Sequence, residues 1–475
     1  MIILGTNSIK AAGGYDVANS LRFNDGSSDD LQKTFGTSTN TDIFTISIWV
    51  KRSTLGINNF FVYSTGGNSD DNWFQVGWNT TDKFVISAYN TVWLRTNRLF
   101  RDVSAWYHIV IQADSTQATA SNRLKLYVNG VEETSFSDDN RGSISSSQTW
   151  GWNKTGNTGY VGSKAGNNYF DGYMAEVVLL DGNVASPTDF GEFDSDSGIW
   201  KPIDVSGLTF GNNGFYLDFE DSSALGNDAA GSNNFTVNNL TAIDQTTDTC
   251  TNNFALANPL NVNASNVGTF AFGNTTVKVA NSSGFSFGSS STIGVSSGKW
   301  YCEAKIITVD ATMVGVSANV AEDARDNYPP GVQGGAQSVG ILVSSGNKYI
   351  DDSGTTHGAA LSADDILMIA LDLDNNNVYF GKDGNWFDGS GNADESSPNS
   401  AIAITAAAST QDGAYFFSFG DGGGSSKGKV SWNFGNASHA ISSGNTDGNG
   451  YGNFEYVVPS GYYSLNTKNL AEYGG

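Results

Sequence analysis

The sequence is poor in cysteine, proline, histidine and positive charge. Its 475 residues include 2 cysteines, 7 prolines and 3 histidines, and 24 lysines and arginines stand against 48 aspartates and glutamates. Cys250 and Cys302 are too few for a disulfide framework, and we expect both to be free, buried thiols. The three histidines are far apart, so the sequence contains no Cys/His cluster of the kind that binds zinc.

The charge and hydropathy patterns exclude two classes of partner. The formal net charge is −24, which repels the phosphates of nucleic acids and anionic lipids. No run of 18 apolar residues occurs, so the sequence predicts no transmembrane helix. We therefore expect neither nucleic-acid binding nor membrane insertion.

The residues that are abundant favour strands and turns. There are 57 glycines, and Ser, Thr, Asn and Asp fill many other positions; these residues favour turns and compete with helical backbone bonding. Aromatic residues make up 12% of the chain, and they fit pleated sheets. The length exceeds what one core supports, so an all-β protein of more than one domain is expected.

Alternating strand patterns occur in two blocks. Apolar residues alternate through Phe44–Val50, and Asn129-Gly130 is typical of a tight hairpin turn after Leu124–Val128. Trp300–Ile306 alternates in the second block. These patterns predict two antiparallel β-sandwiches in tandem. The predicted organisation is a short N-terminal arm (1–18), a sandwich (19–183), a connector packed on the sandwiches (184–262), and a second sandwich with a C-terminal extension (263–475).

The tryptophans fall into two groups. Trp49, Trp106, Trp300 and Trp432 lie within strand patterns and are predicted to be core residues. Another six lie near loops rich in Gly, Asn and Ser, where an aromatic ring can stack on a sugar or pack against a neighbouring subunit. Trp78 and Trp93 are two of them, and the other four are proposed to bind ligand. These candidate ligand-binding residues are Trp150, Trp152, Trp73 and Trp386.

The first block resembles the laminin-G/pentraxin group of concanavalin-like, jelly-roll sandwiches. Four segments in the family's order carry the resemblance: Ser20–Asn24, Phe44–Lys51, Ala105–Val110, and Leu126–Gly130 with Tyr169–Val177. The resemblance implies the fold and names no ligand. Pentraxin-like sandwiches bind calcium on loops, so Asp70, Asp71 and Asn72 are the candidate ligands for calcium; no other cofactor is expected.

The second block resembles SPRY domains, which are also β-sandwiches. Ser297–Glu303 is similar to their entry strand, and Met313–Ser317 to the next. The most recognisable stretch is Asp364–Asp374 with Val378–Gly384. The family has Gly-Asp before this strand, whereas Ala363-Asp364-Asp365 stands here.

The order of the two modules, with Thr251-Asn252-Asn253-Phe254 between them, resembles structural proteins of marine tailed bacteriophages. The resemblance implies a virion surface protein, assembled in the host cytoplasm. Its expected partners are copies of itself, with a trimer favoured, other virion proteins, and a host-surface glycan or protein. The apolar start Met1–Leu4 is too short for a secretory signal, which agrees with release by lysis.

Three functions remain open, and the leading hypothesis is a non-catalytic tail-fibre or adhesin-type protein. The second is a capsid decoration or tail structural protein. The third is a glycan hydrolase, because laminarinase-like sandwiches carry Glu-x-Asp-x-Glu on one strand, and Glu192, Asp194 and Asp196 are similar to that motif. The third carboxylate is one methylene shorter, and Pro187 and Gly191 make the segment loop-like. No catalytic residue is therefore predicted.

Overall fold

The computed structural model describes residues 14–280 and 283–474, so most of the predicted arm lies outside the described residues. Thr251 ends one compact unit and Asn252 begins the next. Each unit is built from antiparallel sheets around its own core, which confirms the predicted all-β fold of two β-sandwiches. No helix in the described residues is long and apolar enough to cross a membrane.

The first unit contains eighteen strands: β1 (Ser20–Phe23), β2 (Asp30–Thr34), β3 (Ile43–Arg52), β4 (Asn59–Thr65), β5 (Trp73–Trp78), β6 (Lys83–Ser87), β7 (Val92–Leu99), β8 (Tyr107–Asp114), β9 (Leu124–Val128), β10 (Val131–Glu132), β11 (Phe136–Asp139), β12 (Thr158–Val161), β13 (Gly172–Asp181), β14 (Gly191–Phe193), β15 (Trp200–Pro202), β16 (Phe215–Leu217), β17 (Thr236–Asn238) and β18 (Gln245–Thr246) among its described residues.

The described residues of the second unit form sixteen strands and two short helices: β19 (Thr269–Ala271), β20 (Thr276–Lys278), β21 (Phe285–Ser290), β22 (Lys299–Thr308), β23 (Thr312–Ser317), α1 (Val320–Asp326), β24 (Ser338–Leu342), β25 (Asn347–Ile350), β26 (Ser353–Thr355), β27 (Ile366–Asp372), β28 (Asn377–Lys382), β29 (Asn385–Phe387), β30 (Ala393–Glu395), β31 (Ile402–Ala403), β32 (Phe416–Gly422), β33 (Lys429–Asn433), β34 (Tyr463–Ser464) and α2 (Thr467–Tyr473).

Two large sheets form the first sandwich. The first sheet has the order β10-β9-β8-β3-β13-β1-β18, with β16 also paired to β13, and the second has the order β11-β7-β6-β5-β4-β12-β2-β17. The alternating residues of β3 and those of β5 point into one common core between the sheets. The inward residues of these two strands are Phe44, Ile46, Ile48, Val50, Phe74, Val76 and Trp78.

The segment 184–262 differs from the expected connector. Strand β16 pairs with β13, β17 pairs with β2, and β18 pairs with β1, so this segment supplies strands to both sheets of the first sandwich. The hairpin of β14 and β15 lies outside both sheets. Short strands among Asn- and Thr-rich turns carry too weak a period to be recognised in sequence.

The outer face of the first sheet is covered by the β14–β15 hairpin. His108 on β8 is fully buried and stacks on Trp49, with ring centroids 4.7 Å apart. Trp200 Nε1 of the hairpin donates a hydrogen bond to His108 Nδ1 at 2.9 Å, and Ser47 Oγ lies 2.8 Å from His108 Nε2. Burial lowers the pKa of His108 to about 3, so the ring is neutral and structural.

An ion pair lies on the same outer face. Lys51 Nζ is 2.5 Å from Asp248 Oδ2, and both side chains are fully buried. Trp106 Nε1 donates to Asp248 Oδ1 at 3.3 Å, and the Tyr173 ring lies 4.7 Å from Lys51 Nζ. The pair therefore ties the chain that follows β18 to the centre of the first sheet.

The second sandwich also has two large sheets. One has the order β19-β20-β33-β22-β27-β28-β29-β30, and the other has the order β21-β32-β23-β24-β25-β26. The two ends of this unit pair with each other: Phe254 and Asn466 form an antiparallel bridge, and Ala255 N donates to Leu465 O at 2.9 Å. The entry and exit of the second unit therefore lie side by side.

The C-terminal segment covers the outer face of the sheet that contains β22. A separate apolar cluster under this segment joins sheet residues such as Tyr301 and Met368 to Phe454, Val458 and Tyr462. Burial on both faces explains why every residue of β27 is buried, where a half-exposed strand would alternate.

A buried carboxylate holds the covering segment in place. Glu303 on β22 accepts hydrogen bonds from the backbone N–H groups of Glu455 (3.1 Å) and Tyr456 (2.8 Å). Tyr301 Oη donates to it at 3.0 Å and Asn433 Nδ2 at 3.1 Å. Burial raises the pKa of Glu303 to about 7, although these four donors act in the opposite direction.

We expect this carboxylate to make stability depend on pH. The folded pKa is above the ordinary value of 4.5, so the folded state retains a proton that the unfolded state has released between these values. This stabilising contribution is present at low pH and is lost as pH rises through about 7. The stability of the native protein relative to Glu303→Gln should fall by roughly 1–3 kcal/mol between pH about 5 and about 8. Urea titrations of both proteins across this pH range would measure the change. A stability difference between the two proteins that stays constant with pH would contradict the prediction.

Candidate functional site

Two of the tryptophans proposed to bind ligand are core residues of the first sandwich. Trp150 is 0% exposed and Trp152 is 1% exposed. Trp150 packs edge-on against Trp93, with centroids 5.1 Å apart, and its Nε1 donates to Asp42 O at 2.8 Å. Trp152 packs edge-on against Phe35. The sugar-stacking prediction was wrong for this pair, because their polar loop folds inward over the open end of the core.

Trp386 is also buried, at 4% exposure, in the cluster under the C-terminal segment. The sugar-stacking prediction is therefore wrong for this residue as well. All four tryptophans proposed as core residues are buried. Trp300 and Trp432 lie between the sheets of the second sandwich, whereas Trp49 and Trp106 lie on the outer face of the first sheet.

The proposed calcium ligands do not fit a calcium ion. Asp70 binds the Asn90 backbone N–H and the Thr91 hydroxyl, Asp71 accepts from Gln148, and Asn72 donates to Ser69. Each side chain holds a different part of the loops, whereas calcium takes six to eight converging oxygens. The described residues contain no group of three His, Cys, Asp or Glu residues that could hold a metal.

The Glu192 motif lies on the β14–β15 hairpin rather than on a sheet strand. Lys201 Nζ is 3.2 Å from Glu192 Oε1 and 3.1 Å from Asp194 Oδ2. Asp194 also accepts from the backbone N–H groups of Asp196 and Ser197, and these hydrogen bonds hold its pKa well below the usual range. Asp194 is therefore a turn carboxylate held ionised, which is opposite to what a general acid needs.

The outer face of the second sheet carries two rows of side chains, some buried between their neighbours and others partly exposed. Strand register aligns Tyr160 of β12 with Tyr63 of β4, and Tyr63 with Gln75 of β5. A parallel row joins Thr158, Thr65 and Trp73. The two rows across the sheet are Gln32, Tyr160, Tyr63, Gln75 and Ser87, and Thr34, Thr158, Thr65 and Trp73.

Four rings on this surface contact one another, and we call them the aromatic face: Tyr63, Trp73, Tyr89 and Tyr160. Ring centroids are 4.9 Å apart for Tyr63 and Trp73, 5.9 Å for Tyr63 and Tyr160, and 5.1 Å for Trp73 and Tyr89. Tyr63 is buried between its neighbours, Trp73 and Tyr160 are partly exposed, and Tyr89 is 38% exposed. The rings therefore form a fixed platform with accessible edges.

The loop 162–171 adjoins the aromatic face at one end. Lys164 Nζ lies 5.0 Å from the centroid of the Trp73 ring and 5.5 Å from that of Phe60. The same loop contributes two residues to a groove of about 480 Å³ at the end of the sandwich. We call it the end groove; its lining residues are Asp25, Gly56, Ile57, Asn58, Thr80, Asn168 and Tyr169.

Of the four proposed tryptophans, only Trp73 is partly exposed. The sequence patterns did not indicate the tyrosines of the aromatic face or Tyr169 as candidate ligand-binding residues. The alternation of residues within single strands could have identified part of the aromatic face. Phe74, Val76 and Trp78 face inward on β5, so Trp73 and Gln75 must face outward. The pairing of Tyr160 with Tyr63 is set by register between strands far apart in sequence, which no local pattern shows.

The sandwich that carries these side chains contains a match to a known family model. Residues 25–187 match the family model of the Concanavalin A-like lectin/glucanases superfamily. The match covers β2–β13 with their loops, including the aromatic face and the end groove. It agrees with the concanavalin-like fold expected for this block. A search of curated protein sequences found no match.

Several solved structures are similar to part of this chain. One is a candidate carbohydrate-binding protein from Bacteroides ovatus (18% identity, TM-score 0.34), for which the alignment covers 47% of this chain and 59% of that protein. Another is a heptameric SAP-like pentraxin from Limulus polyphemus (13%, 0.27, covering 36% and 80%). A third is the SPRY domain of human HERC1 (17%, 0.23, covering 33% and 86%). This chain therefore spans about three-fifths of the Bacteroides protein.

Proposed function

We propose that the chain is a non-catalytic carbohydrate-binding protein and that its first sandwich holds the sugar on the aromatic face. The observation that carries the proposal is the contact between the rings of Tyr160, Tyr63 and Trp73 across three neighbouring strands, flanked by amide and hydroxyl side chains. The superfamily match supports it, because that superfamily is named for lectins and glucanases.

The side chains of this surface suit the chemistry of a sugar ring. A pyranose presents an apolar C–H face, which stacks on an aromatic ring, and a rim of hydroxyl groups, which both donate and accept hydrogen bonds. Trp73 and Tyr160 offer partly exposed rings, while Gln32, Thr65 and Thr158 offer partly exposed polar atoms beside them. Neighbouring strands lie about 4.8 Å apart, so the rings of three strands together cover a surface on the scale of a sugar ring.

The arrangement of carboxylates supports a binding role over hydrolysis. Glycoside hydrolysis requires two carboxyl groups on either side of the sugar bond. The two rows of the second sheet contain amide, hydroxyl and aromatic side chains and no carboxylate. The Glu192 motif lies on a hairpin that covers the other sheet, where Lys201 pairs with two of its three carboxylates.

We expect Trp73→Ala to weaken carbohydrate binding by about tenfold, because it removes the largest ring of the aromatic face. A glycan array on the intact protein would identify the ligand, and titration calorimetry would measure the change. Phe193→Ala is the matched control, since Phe193 is 52% exposed on the hairpin away from this surface. Tyr169→Ala tests the end groove instead; loss of binding in that variant alone would contradict the proposed surface.

The same preparation tests the absence of catalysis. Purified protein should release no reducing sugar from any polysaccharide that it binds, and Glu192→Gln should leave binding unchanged. Sugar release that this single substitution abolishes would make the chain a hydrolase and overturn the non-catalytic part of the proposal.

The wider setting that we propose is the surface of a tailed-phage particle, with the chain acting as an oligomeric adhesin. The order of a laminin-G-like and a SPRY-like module supports this placement. An open sheet face binds a sugar weakly, and repeated copies can raise avidity by about 10²–10⁴. Electron microscopy of particles would locate the chain, and mass photometry would count its copies. Antibodies that leave host adsorption unchanged would favour the capsid-decoration or tail structural role.

A further inference from the structure

The ammonium group of Lys164 stands at the edge of the aromatic face. Its Nζ atom lies over the rings of both Trp73 and Phe60. The backbone of its loop is closed by paired hydrogen bonds: Lys164 N donates to Asn167 O at 2.8 Å, and Asn167 N donates to Lys164 O at 3.1 Å. Ser163 Oγ fixes the loop further by donating to Asp30 Oδ2 at 2.6 Å. The position of Lys164 is thus set by a tight turn rather than by a long flexible loop.

No carboxylate lies within ion-pair distance of this lysine in the described part of the chain. Two arginines of β7, in contrast, are paired: Arg95 with Asp138 at 3.0 Å, and Arg98 with Glu133 at 3.3 Å. Partial burial lowers the pKa of Lys164, and no neighbouring acid raises it again.

Such a group is prepared for an anionic ligand. The ammonium has three N–H donors, and the aromatic rings beneath it accept none of them in a normal hydrogen bond. A carboxylate or sulfate that reached Nζ would form charge-assisted hydrogen bonds, which are stronger than those between neutral groups. A sugar ring on Trp73 would bring its substituents to this atom.

We infer that the aromatic face selects acidic saccharides, whose uronate carboxylate or sulfate group pairs with Lys164 while the sugar ring stacks on Trp73; this inference rests on the proposed function. The negative net charge of the chain repels an anionic saccharide only at long range. At about 0.15 M salt the Debye length is about 8 Å, so distant carboxylates are screened while a direct contact with Nζ is screened far less.

The test compares matched ligands on the intact protein. The probes are oligogalacturonate and its fully methyl-esterified form, in which a methyl ester replaces each charged carboxylate, and a sulfated carrageenan oligosaccharide with its desulfated form. We expect the acidic member of at least one pair to bind about tenfold more tightly than its neutral partner. The pair that shows the difference distinguishes carboxylate from sulfate.

Variants assign the difference to Lys164. Lys164→Met, which approximates the length of the side chain without its charge, should remove the preference, so that the acidic and neutral members bind with similar affinity. Lys164→Arg should retain the preference. Lys125→Met is the charge-matched control, because Lys125 lies on β9 of the other sheet and pairs with Glu132 at 3.5 Å. It should leave the preference intact.

The outcomes separate the inference from the proposed function. If glycans bind in a Trp73-dependent way but acidic and neutral members bind alike, the inference is overturned and the proposed function stands. The inference also fails if Lys164→Met keeps the full preference. If the wild-type protein binds no glycan on an array that includes these probes, the proposed function fails and the inference falls with it.

Discussion

Replacing Trp300 by alanine is expected to lower the free energy of unfolding of the second unit by about 3–5 kcal/mol. Trp300 is 0% exposed between the two sheets, and its Nε1 donates to Ser297 O at 2.7 Å. Alanine would remove the ring near the start of β22, next to Leu371 on β27, and leave a cavity that the rigid sheet cannot close. Native-state hydrogen exchange of β22 and β27 would measure the loss within this unit.

Val457→Ala provides the control for this substitution. Val457 is 74% exposed on the C-terminal segment, so its truncation should change the stability by no more than about 0.5 kcal/mol. If Trp300→Ala were as mild as the control, the placement of the ring between the sheets would be wrong.

We expect Asp248→Asn to destabilise the first unit by about 3–5 kcal/mol, because it leaves Lys51 buried without its counter-charge. The carboxylate and the ammonium are both fully buried, so neither can be solvated when the other is removed. Trp106 Nε1 would keep a partner in the asparagine oxygen, so the effect would arise mainly from the charge. Urea denaturation followed by hydrogen exchange of β3 and β13 would test it.

Two further variants separate this effect from a general loss of charge. Glu132→Gln breaks the exposed Lys125–Glu132 pair and should cost at most about 1 kcal/mol. Lys51→Met in the Asp248→Asn background should restore part of the stability, because it removes the unpaired cation. An Asp248→Asn protein as stable as the wild type would show that Lys51 escapes to solvent.

The strands that form the two cores could be predicted from the sequence, because their periodicity is local. The alternation of β3 identifies Phe44, Ile46, Ile48 and Val50 as one face, and all four face the core. The same alternation places Trp49 on the opposite face of the strand. Trp49 can be buried there only if another segment of the chain covers that face. The β14–β15 hairpin, about 150 residues further along the chain, covers that face.

The candidate site was harder to predict for the same reason. Trp150 and Trp152 lie in a loop of Gly, Asn and Thr, whose composition is typical of a surface; its burial depends on the open end of a core built by other strands. Tyr63 and Tyr160 lie in ordinary strand patterns and become neighbours through the register of β4 and β12. The residue type alone identified Trp73 as a candidate. The other rings of the aromatic face become its neighbours only through tertiary strand pairing.

The antiparallel pairing of the two ends of the second unit has a mechanical consequence. Tension applied between its entry near Phe254 and its exit near Asn466 would act on the terminal bridge first. The hydrogen bonds at this junction, from Ala255 to Leu465 and from Thr467 to Asn253, would then break one after another rather than together. Under load the second unit would peel open from its ends at low force and lengthen the chain, while the cross-strand bonds in the middle of its sheets carried no load until the ends had separated.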